Sequence, residues 1–147
     1  MELKSAAFED GRDIPQRHGK KIDNVSPPLS WTGAPEGTRS FALSVVDPHP
    51  VAQNYVHWLV ADIGPDVSSL AENAAAGRMP PGSRELRAYA GPFPPSGTHD
   101  YLFTIYALGV ERLELAEGAS LDAFVQAVRS SSLDEARLVG RFTKLGS

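Results

Sequence analysis

The sequence predicts a mainly β fold, and three observations carry that prediction. Segments 40–46, 55–63 and 101–108 are apolar and suited to strands, with a period of two running through the first two. Twelve prolines and thirteen glycines punctuate the 147 residues, a density that favours many turns over long helices. A helical period emerges only beyond residue 120, where Leu121, Phe124, Val125 and Val128 follow the i, i+3, i+4, i+7 pattern.

Residues 1–25 are polar and interrupted by Gly11, Pro15 and Gly19. A short strand is predicted over 3–8, with Ile14 and Ile22 as isolated anchors. The run Asn24-Val25-Ser26-Pro27-Pro28-Leu29-Ser30-Trp31 follows. Its two prolines bar a central strand at 27–28, so the chain enters extended, and Trp31 reads as a core plug at a strand end. A turn at Gly33-Ala34-Pro35-Glu36-Gly37 leads into the strand 40–46, with Phe41, Leu43 and Val45 on one face. That strand stops at Asp47-Pro48-His49-Pro50, where two prolines enforce a loop.

In 55–63 the alternation predicts Tyr55, His57, Leu59, Ala61 and Ile63 on one face, and Val56, Trp58 and Val60 on the other. Both faces are largely apolar, so this strand is expected to be central and buried. Segment 64–90 is rich in Gly, Pro, Ser, Ala and charge, and is expected to be a long excursion with little regular structure. Next comes Gly91-Pro92-Phe93-Pro94-Pro95-Ser96-Gly97-Thr98-His99-Asp100-Tyr101, a stiff loop that delivers an imidazole and a phenol to the mouth of the strand 101–108. Ser120 is the expected N-cap of the C-terminal helix, with Asp122 in its first turn. The capping box Ser132-Leu133-Asp134-Glu135 predicts a second short helix ended by Gly140, with Phe142 in a last strand or docked tail. No repeat or linker divides the chain, so one domain over 1–147 is expected.

Composition excludes several function classes. Without cysteine there is no disulfide, thiolate chemistry or Cys-based metal site. No apolar run approaches membrane-spanning length, and a cytoplasmic location is expected. A net charge of −4, with Lys20-Lys21 as the only adjacent basic pair, argues against nucleic acid as a partner. No Gly-x-Ser-x-Gly elbow and no nucleotide-binding glycine fingerprint is present.

What remains is a set of polar groups beside the predicted strands: Asp47, His49, His57, His99 and Tyr101. Histidine, tyrosine and backbone N–H groups together suit an anionic oxygen ligand such as phosphate or carboxylate. Taken singly, each histidine is equally served by a structural role. Three histidines with a carboxylate are also a legitimate metal set, but their spacing matches no metal motif, so no metal or other cofactor is expected. Acid–base catalysis by an Asp–His pair is the enzymatic alternative, although no activated nucleophile stands beside it.

Several motifs agree in order along the chain. They are Asn24-Val25-Ser26-Pro27-Pro28-Leu29-Ser30-Trp31, Asp47-Pro48, His57-Trp58, and Gly91-Pro92-x-Pro94-Pro95-x-Gly97-x-His99. From about residue 8 to 142 the sequence resembles the phosphatidylethanolamine-binding protein family, and within it the small bacterial and archaeal branch called Raf kinase inhibitor-like proteins. The resemblance implies a β-sandwich of two antiparallel sheets with short C-terminal helices and a small anion pocket at one end. It implies lipid binding through phosphate-bearing head groups or similar anions, modulation of a kinase or protease in some members, and a homodimer. By position, the implied ligand-binding residues are Asp47, His57, Pro94, Gly97, His99 and Tyr101. A protein-interaction module with a vestigial pocket is the further alternative.

Two departures stand out. The family's Asp-Pro-Asp-x-Pro is here Asp47-Pro48-His49-Pro50, and its Gly-x-His-Arg is here Gly97-Thr98-His99-Asp100. An acid and a base have each been exchanged for the opposite type, so His49 and Asp100 are expected to face each other as a supporting pair of reversed polarity. The proline-dense loops 47–50 and 91–95 are expected to hold at least one cis bond.

Overall fold

The structure, a computed structural model, describes residues 1–144. Its strands are β1 (Glu2–Lys4), β2 (Arg12–Asp13), β3 (Leu29–Thr32), β4 (Ser40–Asp47), β5 (Tyr55–Ile63), β6 (Ser69–Leu70), β7 (Arg84–Arg87), β8 (Thr98–Leu108) and β9 (Ser132–Thr143). One α-helix, α1 (Leu121–Arg129), and a 3-10 turn at Gln16–His18 complete the regular structure of these residues. A three-stranded sheet runs β1-β3-β6 and a six-stranded sheet runs β2-β9-β8-β4-β5-β7. The architecture is mainly β with two sheets, as the sequence predicts. Pairing is antiparallel except between β2 and β9, which is parallel.

Why the large sheet forms is plain from its middle strands. All eight residues of β4 are buried, because this strand is covered on both faces. One face carries Phe41, Leu43, Val45, Phe103, Ile105 and Leu138, which pack with Leu3, Leu29, Trp31 and Leu70 of the small sheet. Trp31 is indeed a core plug, its ring edge-on to Phe41 at 5.6 Å. The opposite face carries Ala42, Leu59, Ala61 and Leu108, against which α1 lays Phe124 and Val128. Ser120 caps that helix as expected, accepting from the Ala123 N–H at 3.1 Å.

Two expectations require correction. The second C-terminal helix does not exist: 132–143 is the long strand β9, paired along its length with β8. From Ala136 onward its even-numbered residues Ala136, Leu138, Gly140 and Phe142 are buried, while Arg137 and Arg141 face out. This period of two outweighs a capping box that is only four residues of local chemistry. Gly140 is consequently no helix stop; a Cβ there would stand 2.5 Å from Ile14 Cγ1 and 2.8 Å from Phe8. It is a close approach of the N-terminal segment to the sheet. Segment 64–90 has little regular structure, as expected: only the short β6 and β7, the latter forming the edge of the large sheet. Finally, no cis peptide bond occurs among the described residues. The loops reverse through left-handed Gln53, Asn54 and Gly97 instead, so the ordinary trans preference of about 0.5–1 kcal/mol is kept.

Candidate functional site

The site is built on β5, β4 and β8, neighbours in the large sheet. Tyr101 reaches it by regular alternation, on the same face as Phe103 and Ile105. His57 reaches it by an irregularity. Val45 pairs with Trp58 but Val46 with Val56, so no β4 residue stands opposite His57. This bulge breaks the predicted alternation. Leu59 and Ala61 pack toward α1, whereas the His57 ring meets Tyr101 on the other face, with centroids 5.0 Å apart. A second shift, next to left-handed Asp62, likewise sends Ile63 into the inter-sheet core. Bulges re-aim side chains in this way beside functional sites.

Asp47, the last residue of β4, is buried and fully engaged. Its Oδ1 accepts the His49 N–H at 2.9 Å and its Oδ2 lies 2.6 Å from His99 Nδ1. The His49 ring lies flat on His99, centroids 3.9 Å apart and 3° from parallel, and its Nδ1 accepts the Val51 N–H at 3.0 Å. Rings stacked face to face do not aim their nitrogens at one point, so His49 and His99 are not disposed as ligands of one metal ion.

Beside this cluster opens a cavity of about 120 Å³, lined by Asp47, Val51, Ala52, Tyr55, His57, Phe93, Pro94, Pro95 and Tyr101. Of the sequence-predicted residues, Asp47, His57, Pro94 and Tyr101 are in its wall. His99 sits behind Asp47, and Gly97, at φ +61°, belongs to the turn before β8, where its carbonyl accepts the Lys144 N–H at 2.8 Å. The expected His49–Asp100 pair does not form. Alternation along β8 turns Asp100 outward while its neighbours His99 and Tyr101 turn in. Asp100 faces Arg141 across the β8–β9 ladder at 3.5 Å, both exposed.

Sequence reasoning missed the carbon-rich part of the wall. Phe93 packs edge-on against Tyr55 and His57, and Lys20 holds its Nζ 4.5 Å above the Phe93 ring. Tyr55 was legible as a same-face neighbour of His57; Val51 and Ala52 carry no signal beyond their place between motifs.

Two polar groups of the wall are not used up by the fold. The His57 Nδ1 is 2.5 Å from the Ala90 carbonyl, which can only accept, so Nδ1 carries the proton. Its Nε2 has no hydrogen-bond partner among the described residues. Burial pushes the His57 pKa below its ordinary value, helped by Lys20 and opposed by the Ala90 carbonyl and the Asp47 carboxylate. The Tyr101 hydroxyl is buried without a hydrogen bond of good geometry. Burial first, and then the Asp47 charge, raise its pKa, with the Phe93 backbone acting the other way. Tyr101 is therefore a neutral phenol.

The sequence model of the phosphatidylethanolamine-binding protein family matches residues 4–143. A UPF0098 protein of Methanothermobacter thermautotrophicus is 40% identical over 151 residues, covering 98% of this chain and 99% of that one. A Mycobacterium tuberculosis relative named "Putative lipoprotein LppC" is 41% identical over 146 residues, covering 97% of this chain and 72% of its own. In this chain no described helix is long and apolar enough to cross a membrane. The crystal structure of Escherichia coli YbcL, described as a member of the mammalian PEBP family, superposes with a TM-score of 0.88 at 27% identity, over 97% of both chains. On the family match, the identity to relatives and the shared fold, this chain belongs to the phosphatidylethanolamine-binding protein family, a family of ligand-binding proteins.

Proposed function

We propose that the chain binds the anionic head group of a small amphiphile, of phosphate type, in the cavity between β4, β5, β8 and the loops 48–54 and 91–97. The observation that carries this reading is the pair of unspent polar groups, His57 Nε2 and the Tyr101 hydroxyl, on the wall of one cavity. A buried hydroxyl is otherwise almost always partnered, so Tyr101, with an unspent imidazole nitrogen of His57 on the same cavity wall, suits a ligand with hydrogen-bonding oxygens. Asp47 does not oppose an anion as a bare carboxylate would, because both its oxygens already accept hydrogen bonds. The carbon-rich walls at Val51, Tyr55, Phe93 and Pro94 suit the apolar neighbour of the head group. They also keep the local dielectric low, which strengthens each hydrogen bond to it.

In this reading the Tyr101 hydroxyl donates to a ligand oxygen, His57 Nε2 accepts from an acidic P–O–H of the ligand or donates once the ring is protonated, Asp47 and His99 hold the floor, and Pro94 and the Gly97 turn shape the rim. Modulation of a protein target would follow from occupancy of this cavity, and pairing of two copies is tested separately by light scattering. Titration with phosphate, acetate and phosphoethanolamine, followed through the histidine resonances, tests the function. His57 should move first, and His57→Ala should lose binding with the fold intact. Histidine resonances indifferent to all three ligands would reject the anion site. Turnover of an ester panel, or of esters with added Zn²⁺, would favour the hydrolytic alternative.

A further inference from the structure

The carbonyl that orients His57 belongs to a stretch of backbone with an unusual support. Residues 89–92 lie beyond the end of β7, and three of them, Tyr89, Gly91 and Pro92, are pinned to the segment 15–25. The Tyr89 hydroxyl donates to the His18 carbonyl at 2.8 Å, and Asn24 Nδ2 donates to the Tyr89 carbonyl at 3.4 Å. The Gly91 N–H donates to Asn24 Oδ1 at 2.7 Å, and the Lys20 N–H donates to the Pro92 carbonyl at 3.1 Å. The two segments approach so closely that a Cβ on Gly91 would collide with the His18 carbonyl oxygen.

Asn24 is the centre of this seam. Its φ of +50° lies in the left-handed region that asparagine enters more readily than most residues. That conformation turns the amide toward 89–91, where it bonds the peptide groups on both sides of Ala90. Ala90 itself is spent on His57: its carbonyl faces Nδ1 at 2.5 Å and its N–H donates to the His57 carbonyl at 2.8 Å. The tautomer of a neutral imidazole is fixed by the partner of one nitrogen, and the ring's other nitrogen is aimed in consequence.

We propose that Asn24 is a positioning residue: by gripping both flanks of Ala90 it fixes the tautomer and direction of His57, and through them the affinity of the cavity, without touching the ligand. The inference rests on the anion reading for its affinity arm alone. The segment that carries Asn24 also carries Lys20, so one strap supplies both the orientation of His57 and the cation above Phe93.

The test uses the full chain with ¹⁵N-labelled histidine. In the ligand-free wild type, His57 should show one tautomer, protonated on Nδ1. Asn24→Gly keeps the left-handed backbone accessible and removes only the amide. It should mix the two tautomers and, by loosening the Ala90 contact that aims the ring into the cavity, weaken inorganic phosphate binding at least fivefold. Asn24→Asp, which still accepts from Gly91 but cannot donate to Tyr89, should show intermediate mixing, and it carries the test if the glycine variant does not fold. A single unchanged tautomer in these variants, with only thermal stability lowered, overturns the proposal by making Asn24 merely structural. Because the tautomer is read without ligand, a wild-type chain that ignores phosphate defeats the anion reading alone.

Discussion

Tyr101→Phe separates a residue kept for binding from one kept for packing, because the two roles predict effects of opposite sign. Tyr101 is 1% exposed, and its ring packs in the inter-sheet core with His57. Phenylalanine preserves that ring and removes one oxygen. In the free protein the hydroxyl lacks a hydrogen bond of good geometry, and burying an unpartnered hydroxyl costs roughly 1–3 kcal/mol in mutational series. The variant should therefore be no less stable than wild type, and up to about 1 kcal/mol more stable. With an unfolding entropy near 2.1 cal/mol/K per residue, that gain raises the midpoint of a chain of this size by roughly 3 °C. Toward phosphate the sign reverses. A hydrogen bond to a charged acceptor contributes about 1.5–3 kcal/mol, so the same deletion should weaken binding roughly 10- to 100-fold. Thermal unfolding with and without phosphate, beside an NMR titration, reads both arms. A variant destabilised by about 1 kcal/mol or more, with unchanged phosphate affinity, would refute the reasoning, since the hydroxyl would then be serving the fold.

Stability should fall in mild acid through His18 and His57. Both have folded pKa values below the ordinary one, burial being the main cause in each. Their contribution is complete above the unfolded value near 6.5 and is lost as pH drops from there toward the lower folded values, by up to ~1.4 kcal/mol per pH unit and group. Urea titrations between pH 7.5 and 5 should show that slope, and His18→Gln with His57→Gln should flatten it; an unchanged slope removes both groups from the account. Phosphate should oppose the loss, because His57⁺ gains a partner, so its affinity should rise as pH falls from 8 to 6. Gly140→Ala should destabilise by about 1–3 kcal/mol through overpacking against Ile14 and Phe8, and Ile14→Val in the same chain should recover part of it in a denaturant series. His49→Ala and Asp100→Ala should be additive within ~0.5 kcal/mol, as expected of side chains with no shared partner; a larger coupling energy would reinstate their pairing.

Much of the large sheet was legible because β4 and β5 read as apolar runs of seven or more residues bounded by proline and glycine turns, a signal local chemistry does not override. β5 runs over 55–63, the span its alternation predicts, and α1 begins at the cap its sequence predicts. Two kinds of feature were not legible. Ser132-Leu133-Asp134-Glu135 is sound helix-starting chemistry, but β9 finds a partner in β8 over eleven residue pairs, and that long-range ladder decides the matter. The face on which His57 emerges was equally hidden. Alternation alone assigns it with Leu59 and Ala61, and only the register between β4 and β5 reveals the bulge that turns it toward Tyr101. The motif residues Asp47, His57, Pro94 and Tyr101 were found because they stand in fixed order beside proline loops. Val51, Ala52 and Phe93 complete the cavity through packing that no motif encodes.

The two exchanged residues, His49 and Asp100, bear on the site unequally, and the geometry explains why. Asp100 sits on the outward face of β8 with an exposed Arg141 opposite, a pair of the kind that contributes about 0–1 kcal/mol and is screened by salt. Restoring a base there would act on the ladder surface and leave the cavity alone. His49 is different, since its backbone N–H and its ring both serve the Asp47–His99 unit. An acid in its place would set a second carboxylate beside Asp47 and remove the ring that covers His99. A neutral imidazole covers His99 without adding negative charge, and its Nδ1 also fixes the turn at Val51 that closes the rim. The exchange at 49 thus bears on the Asp47–His99 unit, whereas the one at 100 is a surface exchange.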